Sequence, residues 1–128
     1  MKWQIESFLT PKHVRITLSG SFRVDLLRDV WTDVFSKKFW RKDFPIVFDL
    51  GAIEVVDLRF EDIEMMVAML KEIRGEFPGG RLIIIAETAV QFGKTRQYQT
   101  LADLRNGLRV DVFKNEHEAV ESLLKDLP

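Results

Sequence analysis

Few side chains in this chain are equipped for chemistry, and their spacing limits what they can do. Gly93-Lys94-Thr95 matches the last part of a phosphate-binding loop. Such a loop wraps phosphate with backbone amides and needs a second glycine five positions before Gly93. That position holds Thr88, and no glycine lies between Gly80 and Gly93. The expectation is therefore a glycine near a helix start, with Lys94 and Arg96 in solvent and no bound nucleotide. Glu61, Asp62 and Glu64 follow Arg59. Clustered carboxylates can serve acid–base or metal chemistry. Here they fall in the first turn of a helix, where acids complement the dipole, and that reading prevails. Asp49 and Asp57 flank the loop after an apolar strand. Ligands of open α/β sheets bind outside the carboxyl ends of strands, so Asp57 is the best-placed polar residue for a site. No nucleophile is paired with it. His13 begins a strand and His117 opens the last helix. Neither has a partner at metal or triad spacing, and both are expected at the surface. No catalytic residue, metal ligand or cofactor is assigned.

Composition removes further classes. The chain has 128 residues and no cysteine, which excludes disulfides, thiol nucleophiles, iron–sulfur clusters and cysteine zinc sites. Nineteen basic residues face 20 acidic ones, a net charge of −1. Polyanion-binding proteins carry a strong basic excess, so nucleic acid is not an expected partner. One segment, Lys37-Lys38-Phe39-Trp40-Arg41-Lys42, does interleave basic and aromatic residues. Surfaces of that kind can rest on anionic membranes. The favoured expectation is a basic helix end and a loop whose Phe39, Trp40 or Phe44 tucks under a sheet. Met1 to Glu6 contains no apolar signal-peptide core. The longest apolar run, Leu82 to Ala86, is far too short to span a bilayer core of about 30 Å. The expectation is a single cytoplasmic domain over residues 1–128.

The elements that must position these residues follow from periodicity. Trp3 to Phe8 and His13 to Ser19 alternate in polarity around the turn Thr10-Pro11-Lys12, the pattern of an antiparallel hairpin. Leu27, Val30, Trp31, Val34 and Phe35 recur at helical spacing, predicting a helix over about Val24 to Lys38 with Lys37 and Lys38 in its last turn. Pro45 to Leu50 and Arg81 to Ala86 are nearly continuous apolar runs, as in strands covered on both faces. Between them, Phe60 to Arg74 carries a core stripe of Ile63, Met66, Val67, Leu70 and Ile73. Phe77-Pro78-Gly79-Gly80 ends that region. Val90 to Leu104 is a third helix with Tyr98, Leu101 and Leu104 inward, broken by Asn106-Gly107. Leu108 to Phe113 is a last strand. Asn115 caps a final helix with Ala119, Val120, Leu123, Leu124 and Leu127 on one side. The order ββαβαβαβα predicts an α/β fold, a mostly parallel sheet with an antiparallel N-terminal strand and helices packed on it.

Over nearly its whole length the chain resembles the STAS superfamily, and within it the SpoIIAA-like branch. Val14-Arg15-Ile16-Thr17-Leu18-Ser19-Gly20 resembles that fold's glycine-ended second strand, and Ile46-Val47-Phe48-Asp49-Leu50 its central strand. Gln91-Phe92-Gly93-Lys94-Thr95-Arg96 is similar to the opening of its third helix, and Phe113 with Glu118-Ala119-Val120 to its closing strand and helix. The resemblance implies two roles. Anti-sigma-factor antagonists of this superfamily dock on a partner kinase and are switched at a serine or threonine after the central strand, in a motif of Asp, Ser, Ser or Thr, then Gly. The matching stretch is Asp57-Leu58-Arg59-Phe60. Leu58 stands where the phosphoacceptor belongs, and without a hydroxyl it cannot take a phosphate. The branch also resembles lipid-transfer folds in shape, which implies a small apolar ligand.

Two non-enzymatic expectations result. The first is a cytoplasmic regulatory or protein-interaction module not switched by phosphorylation, working through the loop Ala52 to Phe60 and the helix after it. Asp57, Leu58, Arg59, Met65 and Met69 would meet a protein partner or a second copy of the chain. Met65 and Met69 lie offset from the core stripe, and methionine adapts to irregular apolar partners. Such a surface should expose an apolar patch near Leu58 and Met65. The second expectation is a small-apolar-ligand or lipid-binding module with a pocket between the second helix, the third helix and the sheet. Phe92, Tyr98 and the two methionines would line it, with Gly93 beside them. Such a module should enclose about 300 Å³ or more.

Overall fold

Alternation decides the faces of the sheet. Val14, Ile16 and Leu18 are fully buried, while Arg15, Thr17 and Ser19 between them stay half-buried. The computed structural model describes residues 1–78, 81–106 and 109–125. Among these residues β1 (Lys2–Leu9), β2 (Lys12–Ser21), β3 (Ile46–Val55), β4 (Leu82–Ile85) and β5 (Val110–Phe113) lie side by side in chain order. β1 runs antiparallel to β2, with Trp3 opposite Leu18 and Ile5 opposite Ile16. The other pairs are parallel. This is the predicted α/β arrangement, antiparallel strand included.

The helices are α1 (Leu27–Ser36, entered through a 3-10 turn at Val24–Leu26), α2 (Phe60–Glu72), α3 (Ala89–Asn106) and α4 (Glu116–Lys125). Every parallel crossover steps to the adjacent strand in the same direction, so right-handed connections put α1, α2 and α3 on one face. Their core unites Val30, Trp31, Ile63, Val67, Leu70, Tyr98 and Ala102 with Ile16, Ile46, Phe48 and Ile84. On the opposite face Ala119 and Leu123 of α4 cover Val47, Ile83 and Ile85. The unbroken apolar runs of β3 and β4 follow from having helices on both sides. Arg81 secures this second layer. Its guanidinium donates to Asp111 Oδ2 (2.8 Å) and to the Ser122 carbonyl (3.1 Å), tying β5 and α4 to the start of β4.

Helix starts follow local chemistry. The Asn115 side chain accepts the Glu118 N–H at 2.9 Å, as a cap should. Asp62 Oδ2 accepts the Arg59 N–H at 3.0 Å, half of a capping box. The acids after Arg59 therefore serve the helix end.

The structure corrects several expectations. α1 ends at Ser36, and Lys37 is already extended, so Lys37 and Lys38 lie beyond its last turn. Of the aromatic residues expected to tuck under the sheet, Trp40 and Phe44 are buried and Phe39 is half-buried. β3 continues to Val55, so Ala52 to Val55 is strand and not loop. Its register against β2 slips between Thr17 and Ser19 and again between Gly20 and Ser21, so the pairing bends there as bulged strands do. Gly20 takes a left-handed φ of 85° at this point. Leu104, expected inward, is exposed. His13 is buried: its ring stacks on Phe8 at 4.8 Å, and Nδ1–H donates to the Pro11 carbonyl at 2.7 Å. His117 is exposed, as expected. Gly79, Gly80, Gly107, Leu108 and Leu127 lie outside the described residues.

Candidate functional site

The predicted partner surface does not assemble as one patch. Asp57 and Arg59 are exposed, and Met65 is 52% exposed, but Leu58 is 8% and Met69 3%. Leu58 turns inward as the first buried apolar side chain after β3, where the chain closes over the sheet before α2 begins. Met69 lies one turn on from Met65, yet it belongs to the core beside Leu70. Asp57, Leu58 and Met65 do meet, with Phe22, Asp25 and Asp62, around a shallow depression. Arg59 lines a different groove on the α3 side, with Phe60.

Beneath Leu58 lies a slot between α2, α3 and the sheet. Leu18, Phe22, Trp31, Phe48, Leu50, Val56, Met66, Leu82 and Ile84 line it, together with Gln91, Lys94, Thr95 and Tyr98. The cavity of the slot is about 40 Å³, room for a few water molecules. The described residues enclose no chamber of the size expected from sequence. Leu58 and Met66 are among its walls. Leu58 is the common wall: it lines the slot, the depression near Met65, and the open groove that runs past Arg59, Gly93, Lys94 and Arg96.

The polar groups in the slot wall divide into used and unused. Gln91 is wholly committed. Its Nε2 donates to the Leu50 (3.0 Å) and Ile53 (3.2 Å) carbonyls, and its Oε1 accepts the Glu87 N–H at 3.1 Å. It fastens the irregular end of β3 to the start of α3. Gly51 sits at this junction because a Cβ would meet a Glu87 carboxylate oxygen at 3.0 Å and an Asp49 one at 3.1 Å. The Thr95 hydroxyl donates into its own helix, at 2.8 Å to the Gln91 carbonyl. The Tyr98 hydroxyl, on a side chain 4% exposed, has no hydrogen-bond partner among the described residues. Burial pushes its pKa far up, so it stays a neutral O–H donor. Lys94 is half-buried, and among the described residues it has no acidic partner.

Of the ligand residues expected from sequence, only Tyr98 lines the slot. Gly93 faces the open groove outside it. Phe92 stays half-buried, its ring under the Lys114 ammonium at 5.1 Å and the Arg96 guanidinium at 5.9 Å. Met66 lines the slot, where Met65 and Met69 were expected. Sequence reasoning also missed Gln91. Its signal was available: Gln91, Thr95, Tyr98 and Ala102 recur at helical spacing, a partly polar stripe on the buried face of α3. No group of acids and histidines among the described residues could hold a metal ion. No helix among them is long and apolar enough to cross a membrane.

No protein-family model matches the chain, and no curated protein sequence matches it. Among solved structures it is similar to an uncharacterised protein of the DUF3478 family from Shewanella loihica, described as having a SpoIIAA-like fold. The two superpose with a TM-score of 0.58 at 14% identity, over 95% of this chain and 92% of that one. At that identity the likeness speaks to fold alone. With the strand order and crossovers described above, it establishes that this chain has the SpoIIAA-like fold.

Proposed function

We propose that the domain is a non-catalytic binding module that takes a thin apolar chain into the slot between α2, α3 and the sheet. The observation that carries this reading is the Tyr98 hydroxyl. It lines a largely apolar slot and has no protein partner among the described residues, while the sealed unpaired atoms are Arg15 Nε and Trp40 Nε1. A phenol O–H that borders the slot's open space is free to donate. A bound molecule would supply the missing acceptor. The slot also lies toward the carboxyl ends of the parallel strands, where α/β sheets bind ligands. The test uses Trp31, which lines the slot. An ω-bromodecanol chain entering it should quench Trp31 fluorescence, and the Trp31→Phe variant should lose that quenching. Unquenched Trp31 at saturating alcohol would overturn the reading.

A second reading, docking of a protein partner or a second copy, draws on Phe60 and Met65, both more than half exposed. It would not be governed by phosphorylation at residue 58, which is leucine. A monomer by light scattering at high concentration would remove its self-association form.

A further inference from the structure

We infer that the occupant of the slot is a single-chain amphiphile with an anionic head, held at the mouth by the Lys94 ammonium and the Tyr98 hydroxyl. The inference rests on the slot-binding reading above and adds the chemistry of the head. It follows from which polar groups remain once the protein's own bonds are counted. Gln91 is satisfied on both its nitrogen and its oxygen. Thr95 has spent its proton within α3. What remains in the wall is Tyr98 and Lys94, without hydrogen-bond or ion-pair partners among the described residues. A phenol that stays protonated and an ammonium both offer protons. A head that satisfies both must accept, and beside an ammonium an anionic acceptor is favoured over a neutral one.

The surroundings carry the same sign. Lys94 belongs to both the slot and the open groove beyond it. That groove is lined by three cations, Arg59, Lys94 and Arg96, and by no acid among the described residues. Phe60 and Leu101 supply apolar walls to the same groove. An apolar channel leading into a basic mouth is the complement of a chain that ends in a negative charge. The slot's cavity is about 40 Å³, so an entering tail must be thin and unbranched and must displace side chains such as Leu58 and Met66 as it enters. Net charge −1 over the whole chain makes this local cationic lining a feature of the mouth and not of the protein at large.

Calorimetric titration of the intact chain with decanoate, decyl phosphate and 1-decanol, each below its aggregation concentration, tests the inference. Both anions should bind about tenfold more tightly than the alcohol, the scale of one charge-assisted hydrogen bond. Lys94→Met keeps an apolar stem and removes the charge. It should erase most of that preference and leave decanol affinity in place. Tyr98→Phe should weaken anion binding about threefold, the low end of a neutral donor's worth. The relative affinity of phosphate and carboxylate identifies the head, and either order supports the inference. Equal binding of decanol and the anions would overturn the anionic head while leaving the slot reading intact. Binding of none of the three would overturn both. An anion preference that survives in Lys94→Met would overturn the assignment to Lys94.

Discussion

The two ends of the parallel sheet are built differently. At the amino end, Phe44 leads into β3, Phe77 precedes β4, and Trp40 lies against both. Trp40 sits 6.4 Å from Phe44 and 5.9 Å from Phe77, and Phe35 is 5.2 Å from Trp40. These aromatic rings fill the space under α1 completely enough that Phe77 is 1% exposed. At the carboxyl end the chain closes over the sheet with Leu58, Val56 and Phe22, smaller or half-buried side chains, and a slot remains. The unpaired polar groups at the two ends have different surroundings among the described residues. Trp40 Nε1 is sealed among rings, with no partner among the described residues. Tyr98 and Lys94 line a slot that opens into the groove past Arg59 and Arg96. The amino end is packing only, whereas the carboxyl end leaves donors for something to accept.

The largest effect expected from this contrast is on stability at the sealed end. Phe77→Ala should cost about 3–5 kcal/mol by urea denaturation, as large aromatic truncations in cores do. Decanoate affinity in the surviving folded fraction should be unchanged. A loss of affinity equal to that of Lys94→Met would break the division between the ends. Next is Leu58→Ala, which removes the wall between slot, groove and depression. It should cost about 2 kcal/mol, the low end for a buried leucine because one side is already open, and should admit bulkier branched alcohols that the native slot refuses. Unchanged selectivity in competition binding would show that Leu58 is not the wall. Tyr98→Phe is smaller in stability. Removing an unpaired hydroxyl from the slot wall should leave stability about level, while anion binding weakens. A clear drop in urea stability would mean that the hydroxyl has a structural partner.

The smallest effect involves His13, away from both ends. Burial holds its pKa below the ordinary value, helped by nearby Arg15 and opposed by the Pro11 carbonyl and Glu116. The unfolded chain therefore binds a proton more readily than the folded one. Stability is full above the ordinary histidine pKa of about 6.5 and falls as pH drops from there toward the depressed folded value. His13→Phe, which can still stack on Phe8, should flatten that slope in urea midpoints measured between pH 7.5 and pH 5.

The fold was legible because periodicity records which faces are covered. The alternation of Val14, Ile16 and Leu18 and the unbroken apolar run of β4 specify a one-sided and a two-sided strand, and both stand so in the structure. The candidate site was less legible. Leu58 was read from its place in a motif, as a surface residue, when its burial depends on how the chain closes after two slips in the β2–β3 register. Met69 was read from its offset on a helix wheel, but α2 is covered on a wider arc than its main stripe. Helical spacing predicts Tyr98 on the inward face of its helix, and it is buried there beside the slot. Gln91 was not, because its role depends on carbonyls of β3 about forty positions away in the chain, at Leu50 and Ile53. His13 was read as a surface group because nothing local announces that Phe8 stacks on it across the hairpin.

The central claim is that the carboxyl-end slot, and not the aromatic end, receives an amphiphile. An NMR titration of the intact chain with decanoate tests it most directly. The account predicts saturable shifts at Leu58, Met66, Lys94 and Tyr98, with Trp40, Phe44 and Phe77 unmoved. Shifts confined to the aromatic end, or none anywhere at saturating decanoate, would contradict it.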